Sequence, residues 1–359
     1  MRSRHLTRIA ALAAASALLL AGCSSTDEST DAAGDPSGVT ITMGQQGGET
    51  EAIFEASGAF ADAPYKVEYA TFASPADTLT ALATGNVDIG NNLAQWTATQ
   101  GAAAAKPAWT EETAPYRNIL VNVPSDKPDF GRFVVAASAQ SGIENIEDAK
   151  GKKWGFLPGS STNLLAAKVL QKLGWTFDDV ESVSLDSTNQ VLALETGQVD
   201  VLFNPRDNIV GAIANGATVL GTAADYDLNV YTGYLANTKS LDDPNKAAAL
   251  EDFSARLVKA QDWYVQNPEA AQRALVDFRK VTPEQAKTIW EYTRVLPTAP
   301  NDELKEYSQQ LADTALEFSL LKNEVDATVL LDDRFADTID KTLADTDYAA
   351  HFDASYATR

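Results

Sequence analysis

Apolar and polar positions change period many times along this chain, and each change marks an element. Val39 to Met43 and Tyr65 to Ala70 alternate as strands, with a helix around Glu51 to Ala59 between them. Ser74-Pro75-Ala76-Asp77 opens the next helix with a hydroxyl cap, a proline in the first turn and an acid three residues after the cap. That helix closes at Gly85, and Val87 to Gly90 returns as a strand that feeds an alanine-rich helix from Ala94 to Ala105. Asn118 to Val123, Phe133 to Ala137 and Lys153 to Leu157 read as further strands. After the turn Pro158-Gly159-Ser160-Ser161, a helix runs from Thr162 to Leu173 with Leu165, Val169 and Leu173 on one face and Gly174 as its stop. Val180 to Leu185 and Ala217 to Leu220 are strands, and Tyr231 to Ala236 reads as a segment crossing back. From Lys246 to Ala344 the period is helical almost throughout, with Pro268, Pro283, Pro297 and Pro300 at starts or in connectors. Trp263, Tyr264, Trp290, Tyr292 and Phe318 read as packing, and Asp345 to Arg359 as weakly ordered.

One pattern occurs twice. Ala81 to Gly90 (ALATGNVDIG) returns as Ala193 to Leu202 (ALETGQVDVL), with six of ten residues identical. Two copies of helix, glycine stop and strand imply two similar α/β lobes rather than a solenoid. Asp88 and Asp200 read as turn-capping acids at strand starts. The expected division places residues 39–125 and 232–359, with the C-terminal helices, in lobe 1 and residues 126–231 in lobe 2. Crossings near Val123 to Arg132 and Thr222 to Tyr234 would act as hinges.

The N-terminus belongs to no lobe. Arg2, Arg4 and Arg8 precede an apolar run from Ile9 to Leu20 that is too short for a stable membrane span, so residues 1–22 read as an export signal. The run ends Leu20-Ala21-Gly22-Cys23, which resembles the bacterial lipobox and makes Cys23 the expected lipidation site. Residues 23–38 are small, polar and acidic, a disordered tether. Cys23 is the one cysteine, so no disulfide framework exists and stability must come from core burial.

Charge narrows the partners. The leader takes three arginines and no acids from the 28 Lys+Arg and 50 Asp+Glu, leaving 25 against 50, or −25. Such an excess opposes binding to nucleic acid or anionic lipid, while a local pocket of N–H groups can still hold a small anion.

The candidate chemistry lies at strand ends. A strand ending in Gly159, Ser160 and Ser161 and opening at Thr162 into a helix offers free N–H groups, hydroxyls and a positive dipole end to an anion. Simple capping by Ser161 or Thr162 is the competing reading. The glycine-rich turn after Met43 carries Gln45 and Gln46, and Asn91, Asn92, Gln95 and Trp96 sit where the Val87 strand ends, the edge at which open α/β sheets hold ligands. Asn204 and Arg206 follow the second Val-Asp strand, and a guanidinium there forks onto oxyanions unless it pairs with Asp207. The two histidines are His5 and His351, so neither a Cys/His metal cluster nor a Ser-His-Asp triad assembles in a cleft. No catalytic residue, metal or cofactor is expected.

Taken together, leader, tether, paired lobes and helical tail resemble the bacterial solute-binding lipoproteins of ABC importers, in the aliphatic-sulfonate, taurine and nitrate group. The resemblance covers about Val39 to Leu343. It rests on Pro75 to Gly90, on Asp148-Ala149-Lys150-Gly151-Lys152-Lys153 and on Gly159-Ser160-Ser161-Thr162-Asn163-Leu164-Leu165. It departs where sulfonate members usually carry Trp-Asp-Pro and this chain has Phe203-Asn204-Pro205-Arg206. The resemblance implies a type II periplasmic-binding-protein-like clamshell with a helical C-terminal tail. It also implies a monomeric, non-enzymatic protein, lipid-anchored on the extracytoplasmic face, that hands a small anionic solute to a membrane permease. The head group would rest on Ser160, Ser161 and Thr162, with charge from Arg206 and closure by Asn204, Gln46, Asn92 and Ser74. An aliphatic sulfonate or taurine is the first expectation, and nitrate or a pyrimidine precursor of thiamine the alternative. An enzyme or a ligand-sensing ectodomain on the same lobes is the rival from another class.

Overall fold

The computed structural model describes residues 34–46, 48–124, 131–186, 188–317 and 319–357. The expected export signal, Cys23, most of the expected tether, Phe318 and the middle of the expected first crossing lie outside the described residues. Eleven strands are described: β1 Thr40–Gln45, β2 Lys66–Thr71, β3 Ile89–Ala94, β4 Tyr116–Val123, β5 Phe133–Ala137, β6 Lys153–Phe156, β7 Glu181–Ser184, β8 Val201–Pro205, β9 Thr218–Thr222, β10 Thr232–Asn237 and β11 Leu296–Thr298. They form two sheets, ordered β11-β4-β10-β3-β1-β2 and β7-β6-β8-β5-β9.

Each sheet begins with the same unit. β1 lies parallel between β2 and β3, and β6 lies parallel between β7 and β8. Parallel neighbours require crossover helices, which the periodic segments between the strands supply. In each sheet an antiparallel strand then joins beside the unit, β10 along β3 and β5 along β8. The echoed acids sit at equivalent joints. Asp88 accepts from the Thr42 N–H of β1 at 2.8 Å, and Asp200 accepts from the Lys153 N–H of β6 at 2.9 Å. Both side chains tie one strand start to its neighbour, the capping role expected of them.

Three local expectations are corrected. Tyr231 to Ala236 is not a simple connector, because Thr232–Asn237 is a fully buried strand inside the first sheet. A short strand, Leu296–Thr298, interrupts the helical C-terminal region and pairs with β4. The last segment is ordered: the Tyr348–Ala354 helix buries Tyr348 and Phe352 against the first sheet's core. All three depend on partners far away in the chain, which local periodicity does not register.

The core explains how the halves meet. The Pro244–Gln266 helix buries Ala249, Leu250, Phe253, Leu257 and Val258, a 3.6-residue stripe laid on the first sheet. In the second half, Trp154, Phe156, Leu165, Val169 and Phe203 form an apolar cluster that also takes in Trp96 of the Gln95–Ala104 helix and Leu311, Ala312 and Ala315 of the Asp302–Glu317 helix. Each large apolar side chain buried there contributes about 1.5–3 kcal/mol. Side chains from both halves therefore share one core. Among the described residues, no helix is long and apolar enough to cross a membrane.

Candidate ligand site between the halves

Hollows of about 400, 40 and 10 Å³ lie along the junction of the two halves. Asn122, Arg132 and Val295 line both the first and the second, and Leu228, Asn229 and Val230 line both the second and the third. A larger hollow of about 1000 Å³ opens between residues 102–109 and 309–328, but nothing from the second sheet's half reaches it. The junction is thus where the two sheets offer groups to one occupant.

The smallest hollow is lined by Ser161, at the end of the turn singled out in the sequence. β6 ends at Phe156, and Gly159 takes φ 72°, a left-handed conformation that a side chain would strain. Ser160, rather than Ser161 or Thr162, caps the Ser161–Leu173 helix by accepting from the Thr162 N–H at 3.1 Å, and it donates to the Leu157 carbonyl at 2.8 Å. Thr162 Oγ1 accepts from the Leu157 N–H at 3.2 Å and lies 2.7 Å from Ser160 Oγ. The hydroxyls of Ser160 and Thr162 are therefore engaged within the turn. Ser161 differs, since its Oγ is buried without a hydrogen-bond partner and faces the crevice. The opposite wall brings two more such atoms, Gln95 Nε2 and Trp96 Nε1. All three residues are at most 4% exposed. Buried donors almost always have acceptors, and leaving one without costs about 1–3 kcal/mol. Three such atoms on residues lining one hollow beside a helix N-terminus supply hydrogen-bonding groups suited to an oxyanion.

The 400 Å³ cleft has a different character. From the first half, Gln46 follows β1, Glu49 and Thr50 open the Glu49–Ser57 helix, and Asn91 and Asn92 lie in β3 rather than after it. Asn92 holds φ 50°. Gly48 precedes the helix because a side chain there would meet the Phe278 ring, 2.9 Å from Cε2. Arg132 lines the far side and donates in a fork to Asp207, Nε to Oδ1 at 2.8 Å and Nη2 to Oδ2 at 3.0 Å. Burial pushes the Asp207 carboxyl up, but the charge and hydrogen bonds of Arg132, with Arg279 behind it, outweigh burial and hold it below the usual carboxylate range. Arg279 reaches across from the end of the Pro268–Arg279 helix and donates through Nη2 to Asn208 Oδ1 at 3.3 Å. Its Nη1 lies 3.9 Å from both Glu49 Oε2 and Asp207 Oδ2 and has no hydrogen-bond partner. Burial raises the Glu49 carboxyl above its ordinary value, against the pull of Arg279.

The structure distributes the expected site residues unevenly. It brings Gln46 and Asn92 into the cleft, where Gln46 Nε2 donates to Thr78 Oγ1 at 2.6 Å. Ser161 lies in the crevice, with Ser160, Thr162 and Gly159 in the turn behind it. Ser74, Asn204 and Arg206 line none of these hollows. Ser74 caps the Pro75–Thr84 helix, and Asn204 is buried and donates to Gln190. Arg206 lies 4.4 Å over the Tyr292 ring and donates to its hydroxyl at 3.1 Å, while Arg132, not Arg206, is the forked partner of Asp207. Glu49, Arg132 and Arg279 carry no motif, and only the folded chain brings them together.

Residues 131–271 match the profile of the family described as NMT1/THI5 like. A protein of Brucella abortus (strain 2308) named as a binding protein is 26% identical over 159 residues, 42% of this chain and 43% of its own length. The aligned part thus spans less than half of the curated relatives this chain matches. The periplasmic aliphatic sulphonate binding protein SsuA of Escherichia coli superposes with a TM-score of 0.68 at 20% identity, covering 82% of this chain and 92% of that one. The fold is that of a periplasmic binding protein. The periplasmic-binding-protein fold also carries catalysis elsewhere: the desulfurization enzyme DSZB superposes with a TM-score of 0.60 at 15% identity, covering 86% and 99%. Among the described residues, no group of three or more His, Cys, Asp or Glu is placed to hold a metal ion.

Proposed function

We propose that this chain is the extracytoplasmic solute-binding component of an ABC importer, lipid-anchored at Cys23, and that it captures a small organic anion, an aliphatic sulfonate or taurine. One observation carries the reading: Ser161 Oγ, Gln95 Nε2 and Trp96 Nε1 come from both halves to one crevice and have no acceptor there. A sulfonate brings three oxygens, and the dipole of the Ser161–Leu173 helix favours its charge. The crevice of about 10 Å³ is too small for the head group, so binding requires the halves to part and close again around it. Ser160 and Thr162 shape the turn that presents Ser161, and Gln46 and Asn92 belong to the neighbouring cleft. The leader, the single lipobox-like cysteine and the tether support placement outside the cytoplasmic membrane beside a permease.

Titration calorimetry of the mature protein with ethanesulfonate, taurine, nitrate and a thiamine pyrimidine precursor tests this. Trp96→Phe keeps the ring and removes the N–H, so ethanesulfonate binding should weaken about tenfold to a hundredfold, the worth of one hydrogen bond to a charged group. Unchanged affinity in that variant would remove the donor set from the site. Mass spectrometry of the solute after incubation separates capture from turnover, because a binding protein returns its ligand intact.

A further inference from the structure

The cleft around Glu49 and Arg279 has its own unmet requirements, and they differ from those of the crevice. Its forked pair, Arg132 with Asp207, is self-contained. What remains is one cationic donor and several acceptors. Arg279 Nη1 has no hydrogen-bond partner. Glu49 faces the cleft with its side chain about a third exposed, 3.9 Å from that nitrogen, too far for a hydrogen bond. Asn91 Oδ1 and Gln261 Oε1 are buried without donors, while their own amide nitrogens are committed to Thr50 Oγ1 at 2.6 Å and Asn122 Oδ1 at 3.1 Å. Asn91 is 7% exposed. Apolar surface from Ile53, Phe54, Leu257 and Phe278 completes the walls.

We propose that this cleft is a second binding site, separate from the crevice, for a small zwitterion with an apolar tail. The anionic end forks onto Arg279, and the ammonium donates its three N–H groups to Glu49, Asn91 Oδ1 and Gln261 Oε1. The tail lies against Phe54 and Phe278. A simple monoanion satisfies Arg279 but leaves the three acceptors empty and adds negative charge beside Glu49, so it is rejected. A volume of about 400 Å³ suits a solute of amino-acid size.

L-leucine serves as the probe, with the full mature protein in the calorimeter. It should bind one to one, with the same affinity when ethanesulfonate is present in saturating amount. N-acetyl-leucine, which lacks the ammonium, and isoamylamine, which lacks the carboxylate, should each bind at least about tenfold more weakly. Glu49→Gln and Arg279→Met should each weaken leucine by at least about tenfold, with thermal melting confirming that the variants fold. No heat with leucine, or equal affinity for its acetylated form, overturns the second site. Displacement of leucine by ethanesulfonate overturns its separateness. Failure of ethanesulfonate alone would count against the sulfonate reading and leave leucine binding to decide this one.

Discussion

The two halves repeat one local pattern, and tertiary context uses it differently in each. In both, a helix is followed by a glycine and a Val-Asp strand start whose carboxylate accepts from the middle strand of its parallel unit, β1 or β6. Asp88 is also buried and holds Ser240 Oγ at 2.7 Å and Lys246 Nζ at 2.6 Å, because the C-terminal helices return over that edge. Asp200 has no such cover and remains partly exposed. The helices that follow β1 and β6 differ as well. Glu49–Ser57 starts at Gly48 without a side-chain cap and with acids in its first turn, facing an open cleft. Ser161–Leu173 is capped by Ser160 and has no acid in its first turn, and it offers Ser161 to a closed crevice. Counting on from the matched strands, Gln95 corresponds to Asp207. The first is an amide with an unpartnered nitrogen, the second an ion already forked by Arg132. Equivalent positions thus carry different chemistry, an amide with an unpartnered nitrogen in one half and an ion pair in the other.

The largest effect should come from the ionic half of this contrast. Asp207→Ala leaves Arg132 in the wall without its partner and should cost about 4 kcal/mol at neutral pH. Because the folded-state pKa of Asp207 is depressed, its contribution is present above the unfolded carboxylate value and is lost as pH falls through the folded one. Denaturant unfolding from about pH 7 to about pH 3 should therefore show the gap between wild type and variant closing in acid. A gap that stays constant would mean that the pair is not what stabilises the wall.

Asp88→Ala should cost about 3 kcal/mol, since it strips the buried Thr42 N–H of its acceptor along with two further partners. Asp200→Ala should cost only about 1 kcal/mol. Equal losses would show that the C-terminal cover contributes nothing at Asp88. Least of all in stability, Ser161→Ala should change unfolding by under about 0.5 kcal/mol, because its hydroxyl has no partner to lose. A larger loss would reveal a partner in the folded state.

Much of the fold could be read from local patterns. The strand expected over Phe133 to Ala137 has the observed bounds, and the stripe and glycine stop of Thr162 to Leu173 mark a helix that starts one residue earlier. The doubled Val-Asp strand signalled two sheets and the role of its two acids. The site was legible only in part. The turn at Ser160 has a local signature, as do Gln95 and Trp96 at a strand end, but nothing near Arg279 or Glu49 marks them. Arg206 shows the converse: a cation at the right strand end turned instead to Tyr292, a partner that no local pattern names.

The sequence by itself determined most of the helices and strands, that two α/β units recur, and that a Gly-Ser turn leads into a helix near Ser161. Those properties follow from backbone geometry and side chains within a few residues of one another. Only the tertiary structure decided which polar atoms go without partners, since that depends on burial by segments distant in the chain. It set Ser161 against Gln95 and Trp96, and Arg279 against Glu49, and the hydrogen bonds left unmade at those junctions are what a ligand can supply.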